Sequence, residues 1–336
     1  MCADIKLETL KYRSSVDGTY PLLADAGMIS DGRPKPLLII MHGYSGSRKD
    51  VTCDVVELAG KGVVAVAPDM RGRGGSAGKW DSGGLDVHDI LDGVLKAVES
   101  YPEEIDARNL NIVGYSGGGG NAIACAVRFP DLFRTCISFF GISDYAWWYR
   151  SRGRPDCNVL MEQTLGGSPD EVPEVYEARN AIIAAGNALA RLHFFWDVEE
   201  KDCPAEMILN FIDVYKKSGR TEAFIHVSKP GDIKRWRHGY RSKNRDISFA
   251  DDIFLKDILD SQRSRPELPH MGRLVVNGYL VTRHFSVWIE DSKKGVVKGR
   301  VTVEYELGDE KPVIKVVDNP ANYRVIIEDS PLKILP

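Results

Sequence analysis

The chain has 336 residues, of which 43% are hydrophobic and 27% charged, with a formal net charge of −4. That balance suits a globular protein with a sizeable core, built as one large domain or as one large and one small. It disfavours nucleic-acid binding, which needs clustered Lys and Arg, and the densest basic stretch, KRWRHGYRSKNR at 234–245, reads mainly as a solvated loop. No run of about 18 apolar residues exists, so no membrane association is expected. The N-terminal MCADIKLETLKY lacks the apolar core of a signal peptide, and the expected location is cytoplasmic. The six cysteines (2, 53, 125, 136, 157 and 203) show no close pairing and read as free thiols, with Cys125 and Cys136 in apolar surroundings.

Residues 4–24 alternate enough for two short strands around the turn VDG. PLLIIMHG (36–43) reads as a buried strand ending in a glycine turn, DVVELAGKG (54–62) as a helix and VVAVAPDM (63–70) as a second buried strand. An amphipathic helix follows at 88–102, then the strand NLNIVGYS (109–116), the helix NAIACAVRFP (121–130) and the strand FRTCISFFG (133–141). Residues 142–190 break this rhythm. They hold DYAWWYRSRGRP and a helical stretch near 171–189, and read as an insertion above the sheet. RLHFFW (191–196), a helix at 205–219, EAFIHV (222–227) and a closing helix at 249–263 resume the alternation. Strands that are apolar throughout, separated by helices, indicate a mostly parallel sheet covered on both faces, an α/β fold. The first domain is thus read as 1–267. Residues 268–336 carry β-branched and aromatic runs between turn signals and read as a small C-terminal β-rich domain, whose edges are expected to favour a homo-oligomer.

Ser116 lies at the carboxyl end of a buried strand, where ligands sit in open parallel sheets. Gly114, Ser116 and Gly118 complete G-x-S-x-G, in which a nucleophilic serine occupies a sharp strand-to-helix turn and its neighbours two away must be small. Gly117 offers an unhindered N–H at the helix start, where developing negative charge is favoured. Gly119 and Gly120 exceed the motif and are expected to weaken the first helical turn. The turn MHGYSGS (41–47) places a second candidate oxyanion donor, the Tyr44 N–H, with His42 in a structural role.

The base should follow the serine. Of His193, His226, His238, His270 and His284, the first two lie in apolar strands and the last two in the C-terminal segment. His238, on a loop after the sixth strand, is the candidate. The acid should lie on the loop DVEEKDCPAEM, and spacing leaves Asp197, Glu199, Glu200 and Asp202 open, with Asp144 outside that loop. Trp147 and Trp148, in YAWWYR, are candidates for a substrate pocket. Arg71, Arg73, Arg150 and Arg152 are candidates to grip a peptide terminus.

HGYSGS, DMRGRGGSAG, GYSGGGG, LGGSPDE…YEARNAI and EEKDCPAE…KKSG…HGY together resemble the α/β-hydrolase superfamily. Within it, the chain resembles the catalytic domain of the prolyl-oligopeptidase family and its esterase relatives, over roughly 36–263. The resemblance implies a Ser-His-acid triad and oxyanion donors at Tyr44 and Gly117. The family's acid is an Asp four residues before a proline. Here that place, before Pro204, is held by Glu200, and Trp196-Asp197 stands where the family has His-Gly. Carried over, the motif makes Glu200 the acid, with Asp202 as fallback. Only about 35 residues precede the first buried strand, too few for a propeller. A carboxylesterase acting through an acyl-enzyme is therefore the expected function, with a peptidase on short peptides as the alternative. Neither needs a cofactor or a metal.

Overall fold

The computed structural model describes residues 5–151 and 153–336; Cys2 and Arg152 lie outside the described residues. Eight strands make the main sheet: β1 (Lys6–Tyr12), β2 (Leu22–Met28), β3 (Lys35–Met41), β4 (Val64–Pro68), β5 (Ile105–Tyr115), β6 (Thr135–Phe139), β7 (Arg191–Asp197) and β8 (Ala223–Ser228). Their order is β1-β2-β4-β3-β5-β6-β7-β8. Pairing is antiparallel for β1–β2 and β2–β4 and parallel for every other neighbouring pair.

The buried strands are apolar throughout because both faces are covered. Alternate side chains of β3 show this. Leu37, Ile39 and Met41 enter the core under α2 (Leu85–Ser100) and α3 (Gly117–Arg128), whereas Leu38 and Ile40 enter the core under α1 (Thr52–Ala59). The insertion holds α4 (Tyr145–Ser151), α5 (Pro155–Leu165), α6 (Pro173–Glu177) and a 3₁₀ turn at Ile182–Asn187. Then α7 (Ala205–Lys217) joins the α2–α3 face and α8 (Asp251–Leu259) the α1 face. Among the described residues no helix is long and apolar enough to cross a membrane.

Four boundaries depart from expectation. The second strand lies wholly beyond the VDG turn, at 22–28, and the closing helix stops at Leu259. The insertion holds α5, which was not foreseen because its apolar residues follow no strong stripe. Its ends are nonetheless marked by Pro155 in the first turn and Gly166 at φ 93° after the last. The fourth departure is α3, which starts at Gly117 and takes all four glycines into its first turn.

The C-terminal sheet contains β9 (Met271–Asn277), β10 (Tyr279–Val281), β11 (Phe285–Ile289), β12 (Arg300–Glu306), β13 (Val313–Asp318) and β14 (Val325–Asp329), in the order β13-β12-β9-β10-β11-β14, all antiparallel. A short helix at Glu290–Lys293 interrupts it, where none was expected. Leu274, Val276, Phe285, Val287, Val301 and Val303 form a core of its own. Tyr279, Val281 and Trp288 instead enter the core shared with α2 and α3. There the Arg128 guanidinium lies 4.6 Å from the Tyr279 ring centre, and the Arg283 N–H donates to the Asp131 carboxylate at 2.9 Å.

The glycine run is explained by close approach. A Cβ on Gly119 would lie 2.9 Å from the Phe139 carbonyl oxygen, and one on Gly120 would lie 2.5 Å from that of Ile142. The helix start is thus pressed against the end of β6. Alanine at position 120 would gain about 1 kcal/mol of helix propensity but would overpack this contact, which typically costs about 1–3 kcal/mol. Gly120→Ala is therefore expected to lower the urea-unfolding free energy by about 1 kcal/mol on balance. A more stable variant would contradict the close-approach explanation.

Candidate active site

Ser116 joins β5 to α3 at φ 56° and ψ −121°, a strained conformation for a residue with a side chain. It persists because the Ser116 N–H donates to the Phe139 carbonyl at 2.9 Å and because Gly114 and Gly118 let the turn cross itself without collision. Gly117 sits against the loop after β3: a Cβ there would lie 2.9 Å from the Tyr44 nitrogen. The Tyr44 and Gly117 N–H groups are therefore neighbours, and among the described residues neither has a hydrogen-bond acceptor. Two unpartnered N–H groups beside a serine hydroxyl are what an acyl oxyanion requires.

Several contacts fix the Tyr44 loop. His42 is wholly buried, and its Nε2 accepts from the Met70 N–H at 3.0 Å, so the proton resides on Nδ1, which donates to the Gly43 carbonyl at 2.8 Å. Burial drives its pKa down to about 3, keeping it neutral. The Gly43 N–H donates to Tyr240 Oη at 2.9 Å, and Tyr44 Oη bonds Ser82 Oγ at 2.7 Å.

His238 Nδ1 lies 3.0 Å from Glu200 Oε2, so it donates to the carboxylate and leaves Nε2 as the basic nitrogen. The other oxygen, Oε1, accepts the N–H groups of Asp202 at 2.7 Å and Cys203 at 3.0 Å. Burial alone would raise the Glu200 pKa. The hydrogen bond from His238, its charge, and the two N–H groups outweigh burial and hold it below the ordinary range. The imidazole stacks on Phe140, ring centres 4.5 Å apart. Among the described residues the non-glycines with positive φ are Ser82, Ser116, Phe140 and Asn322. The first three all touch this site, where backbone strain tends to gather.

The loop carrying His238 is anchored by Arg241, which is fully buried. Its Nη1 and Nη2 each donate to the Asp251 carboxylate at 2.7 Å, and its Nε reaches Asp54 at 3.2 Å. Asp54 also accepts from the hydroxyl of Tyr115, the residue before the serine.

The structure brings Ser116, His238, Tyr44 and Trp148 to the wall of one cavity of about 250 Å³. No hydrogen bond joins Ser116 to His238 among the described contacts. The serine Oγ instead lies 3.7 Å from Cys203 Sγ, a thiol kept protonated because burial pushes its pKa up. Such catalytic hydrogen bonds often tighten only when substrate binds. Trp148 is buried, its Nε1–H donating to the Asp202 carbonyl at 2.6 Å. Trp147 is not on this cavity, because successive helical residues point about 100° apart and α4 can turn only one of them inward.

The other candidates are engaged elsewhere. Asp197 is paired with Arg235, which also reaches Glu199, and Asp144 accepts the first N–H groups of α4. Asp202 lines the cavity without reaching the imidazole. His193 bonds His226 and Asp257, while His270 and His284 are exposed on the C-terminal segment. Arg71 is buried in a bidentate pair with Asp89, Arg73 is buried beneath Trp80, and Arg150 pairs with Asp170 on the surface. The basic residues on the cavity wall are Arg154 and Lys243, which sequence reasoning missed along with Phe140 and Cys203.

The sequence model of the prolyl oligopeptidase family matches residues 51–254. The uncharacterized peptidase YtmA of Bacillus subtilis (strain 168) is 29% identical over 175 residues, 52% of this chain and 66% of that protein. Among solved structures, the acylaminoacyl peptidase of Pyrococcus horikoshii superposes with a TM-score of 0.61 at 21% identity, covering 79% of this chain and 42% of that one. The Pyrococcus furiosus esterase Pf2001 superposes at 0.56 and 17% identity, covering 75% and 92%. This chain thus spans 66% of the first of these peptidases and 42% of the second. The structural likenesses establish the α/β-hydrolase fold.

Glu200 and Asp202 can be separated by substitution. Glu200→Gln keeps the shape but removes the charge that fixes the imidazole, so turnover of an activated ester should fall by about 10³–10⁴-fold. Asp202→Asn should stay within about threefold of the parent, as a carboxylate that only lines the cavity would. Because the folded-state pKa of Glu200 lies below its ordinary value, its contribution to stability holds above the ordinary carboxylate range and is lost as pH falls. The parent's urea-unfolding free energy, read by circular dichroism, should therefore fall as the pH drops through and below the ordinary carboxylate range, and Glu200→Gln should lessen that fall. An unchanged rate in Glu200→Gln would rule the residue out.

Proposed function

Since the chain belongs to the prolyl oligopeptidase family, we propose that it is a serine hydrolase cleaving the acyl–nitrogen bond of short peptides. One observation carries this reading: a strained serine and a carboxylate-held imidazole face a single cavity, and the N–H groups of Tyr44 and Gly117 beside the serine have no acceptor among the described residues. Ser116 Oγ attacks the acyl carbon as His238 Nε2 takes its proton, and Glu200 stabilises the resulting imidazolium. The N–H groups of Tyr44 and Gly117 receive the oxyanion. His238 then hands its proton to the departing amine, leaving an acyl group on Ser116. Water, deprotonated by His238, releases the acid and restores the serine.

The relatives described as peptidases support a peptide bond over the ester expected from the sequence. The wall chemistry is compatible with this. Tyr44, Tyr115, Phe140, Trp148 and Tyr240 offer apolar area, while Arg154, Lys243 and Asp202 offer charge for a peptide's polar end. The same aromatic lining supports a second reading, a carboxylesterase for apolar acyl groups, using the same residues.

Matched aminoacyl p-nitroanilides and p-nitrophenyl esters separate the two, since only the anilide needs a proton delivered to its nitrogen. Both should turn over, and Ser116→Ala should reduce both by about 10³-fold or more. Turnover of esters alone would replace the peptidase reading with the esterase one. Undiminished turnover in Ser116→Ala would overturn both.

A further inference from the structure

A second cavity, of about 720 Å³, opens at the opposite end of the main sheet. Its walls come from the amino ends of β3 and β5, the residue before β6 and the segment after α8: Pro36, Asp106, Arg108, Arg134 and residues of 261–267. The length of β5 separates it from Ser116 by roughly 30 Å. It belongs to no part of the hydrolytic site.

Four arginines (108, 134, 263 and 265) line it against two carboxylates, Asp106 and Glu267. Arg134 is only 3% exposed, so it is not a solvated surface charge. Its Nη2 donates to the Asp260 carbonyl at 2.6 Å, but its Nε is buried without a partner among the described residues, as is Nη1 of Arg263. Among the acids nearby, Asp260 favours the Arg134 charge and Glu267 lies 3.8 Å from Arg265, while Glu222 and Asp257 are held by other partners. Glu222 lies 3.9 Å from Arg263 but accepts from Arg191 at 2.7 Å, and Asp257 is shared by Arg191 and His193. Burial pushes the Arg134 pKa down, and burial with repulsion from Arg191 does the same for Arg263. On the wall itself four guanidinium groups face two carboxylates in a partly desolvated place, an arrangement that is costly unless further negative charge offsets it.

We propose that this cavity binds a phosphorylated small molecule, with the arginines holding the phosphate. Planar guanidinium forks match tetrahedral oxyanions in bidentate fashion. A dianionic phosphate would balance the excess of two positive charges on the walls, and the hydroxyls of Ser261 and Ser264 and the Gln262 amide provide further donors. The volume exceeds what inorganic phosphate fills and suits a small organic monoester.

The test uses the full chain at fixed ionic strength, titrated with inorganic phosphate, glycerol 3-phosphate and sodium chloride, and read by thermal unfolding and calorimetry. Both phosphates should raise the unfolding temperature saturably, the monoester with the lower Kd, and chloride should not. Arg263→Gln and Arg108→Gln leave the Arg134–Asp260 bond intact and should each weaken binding by about tenfold, with Ser116-dependent turnover unchanged. Equal responses to chloride, or variants that bind phosphate as the parent does, would overturn the site. A monoester binding no tighter than inorganic phosphate would overturn the organic part of the ligand.

Discussion

The first turn of α3 lies closer to the ends of three strands than any side chain allows. Gly118 presses on the carbonyls that end β3, Gly119 on the end of β6 and Gly120 on the loop beyond it, while Gly114 and Gly118 cross within the turn itself. Everything at the candidate site inherits its position from that approach. Ser116 is held at positive φ because the strand and helix it joins have nowhere else to go. Gly117 lies against the Tyr44 backbone because the helix start has been pushed against the loop after β3. Four glycines weaken a helix in isolation. Here the burial of α3 against the sheet offsets that weakness, and the bare backbone is what the site requires.

A second constraint places the imidazole. The loop from 235 to 245 has little regular structure and would not hold a base in place unaided. Arg241, buried beneath it, ties the loop through Asp251 to α8 and through Asp54 to α1, and Asp54 in turn is bonded by Tyr115 next to the serine. Burying such charges confers little net stability, but removing one partner leaves the others exposed to a low-dielectric interior, typically at a cost of about 3–5 kcal/mol. The network therefore ties the His238 loop to the strand that ends at Ser116. Phe140 completes the placement from the other side, its strained backbone setting a ring beneath the imidazole.

Much of the fold was legible because covered strands read as apolar runs and β3 through β7 each contain one, while β8, at the sheet edge, carries an apolar run that is partly exposed. The turn at Ser116 was legible because G-x-S-x-G is a steric requirement written in small residues, and the placement of His238 because, of the histidines after the serine, it falls on the loop between the sixth strand and the closing helix. The acid was not. Asp197, Glu199, Glu200 and Asp202 share one short loop, and which of them meets the imidazole depends on Arg235, which engages Asp197 and Glu199 from a distant segment. Resemblance to a family, not spacing, singled out Glu200. The insertion was read poorly for a different reason: its helices are short and only partly amphipathic, so their ends are marked by Pro155 and Gly166 more clearly than their faces. Contacts such as Ser116 with Cys203 arise wholly from tertiary packing and leave no local trace. The C-terminal strands were legible from their β-branched texture, but the burial of Tyr279 and Trp288 against α2 and α3 was not.

Reaction with a fluorophosphonate, followed by peptide mass mapping, tests the central claim most directly, because such a probe phosphonylates a serine only where a base and an oxyanion site activate it. The label should fall on Ser116 alone and should be lost when His238 is replaced by alanine. An unlabelled protein, or a label on another residue, would contradict the assignment of Ser116 as the nucleophile.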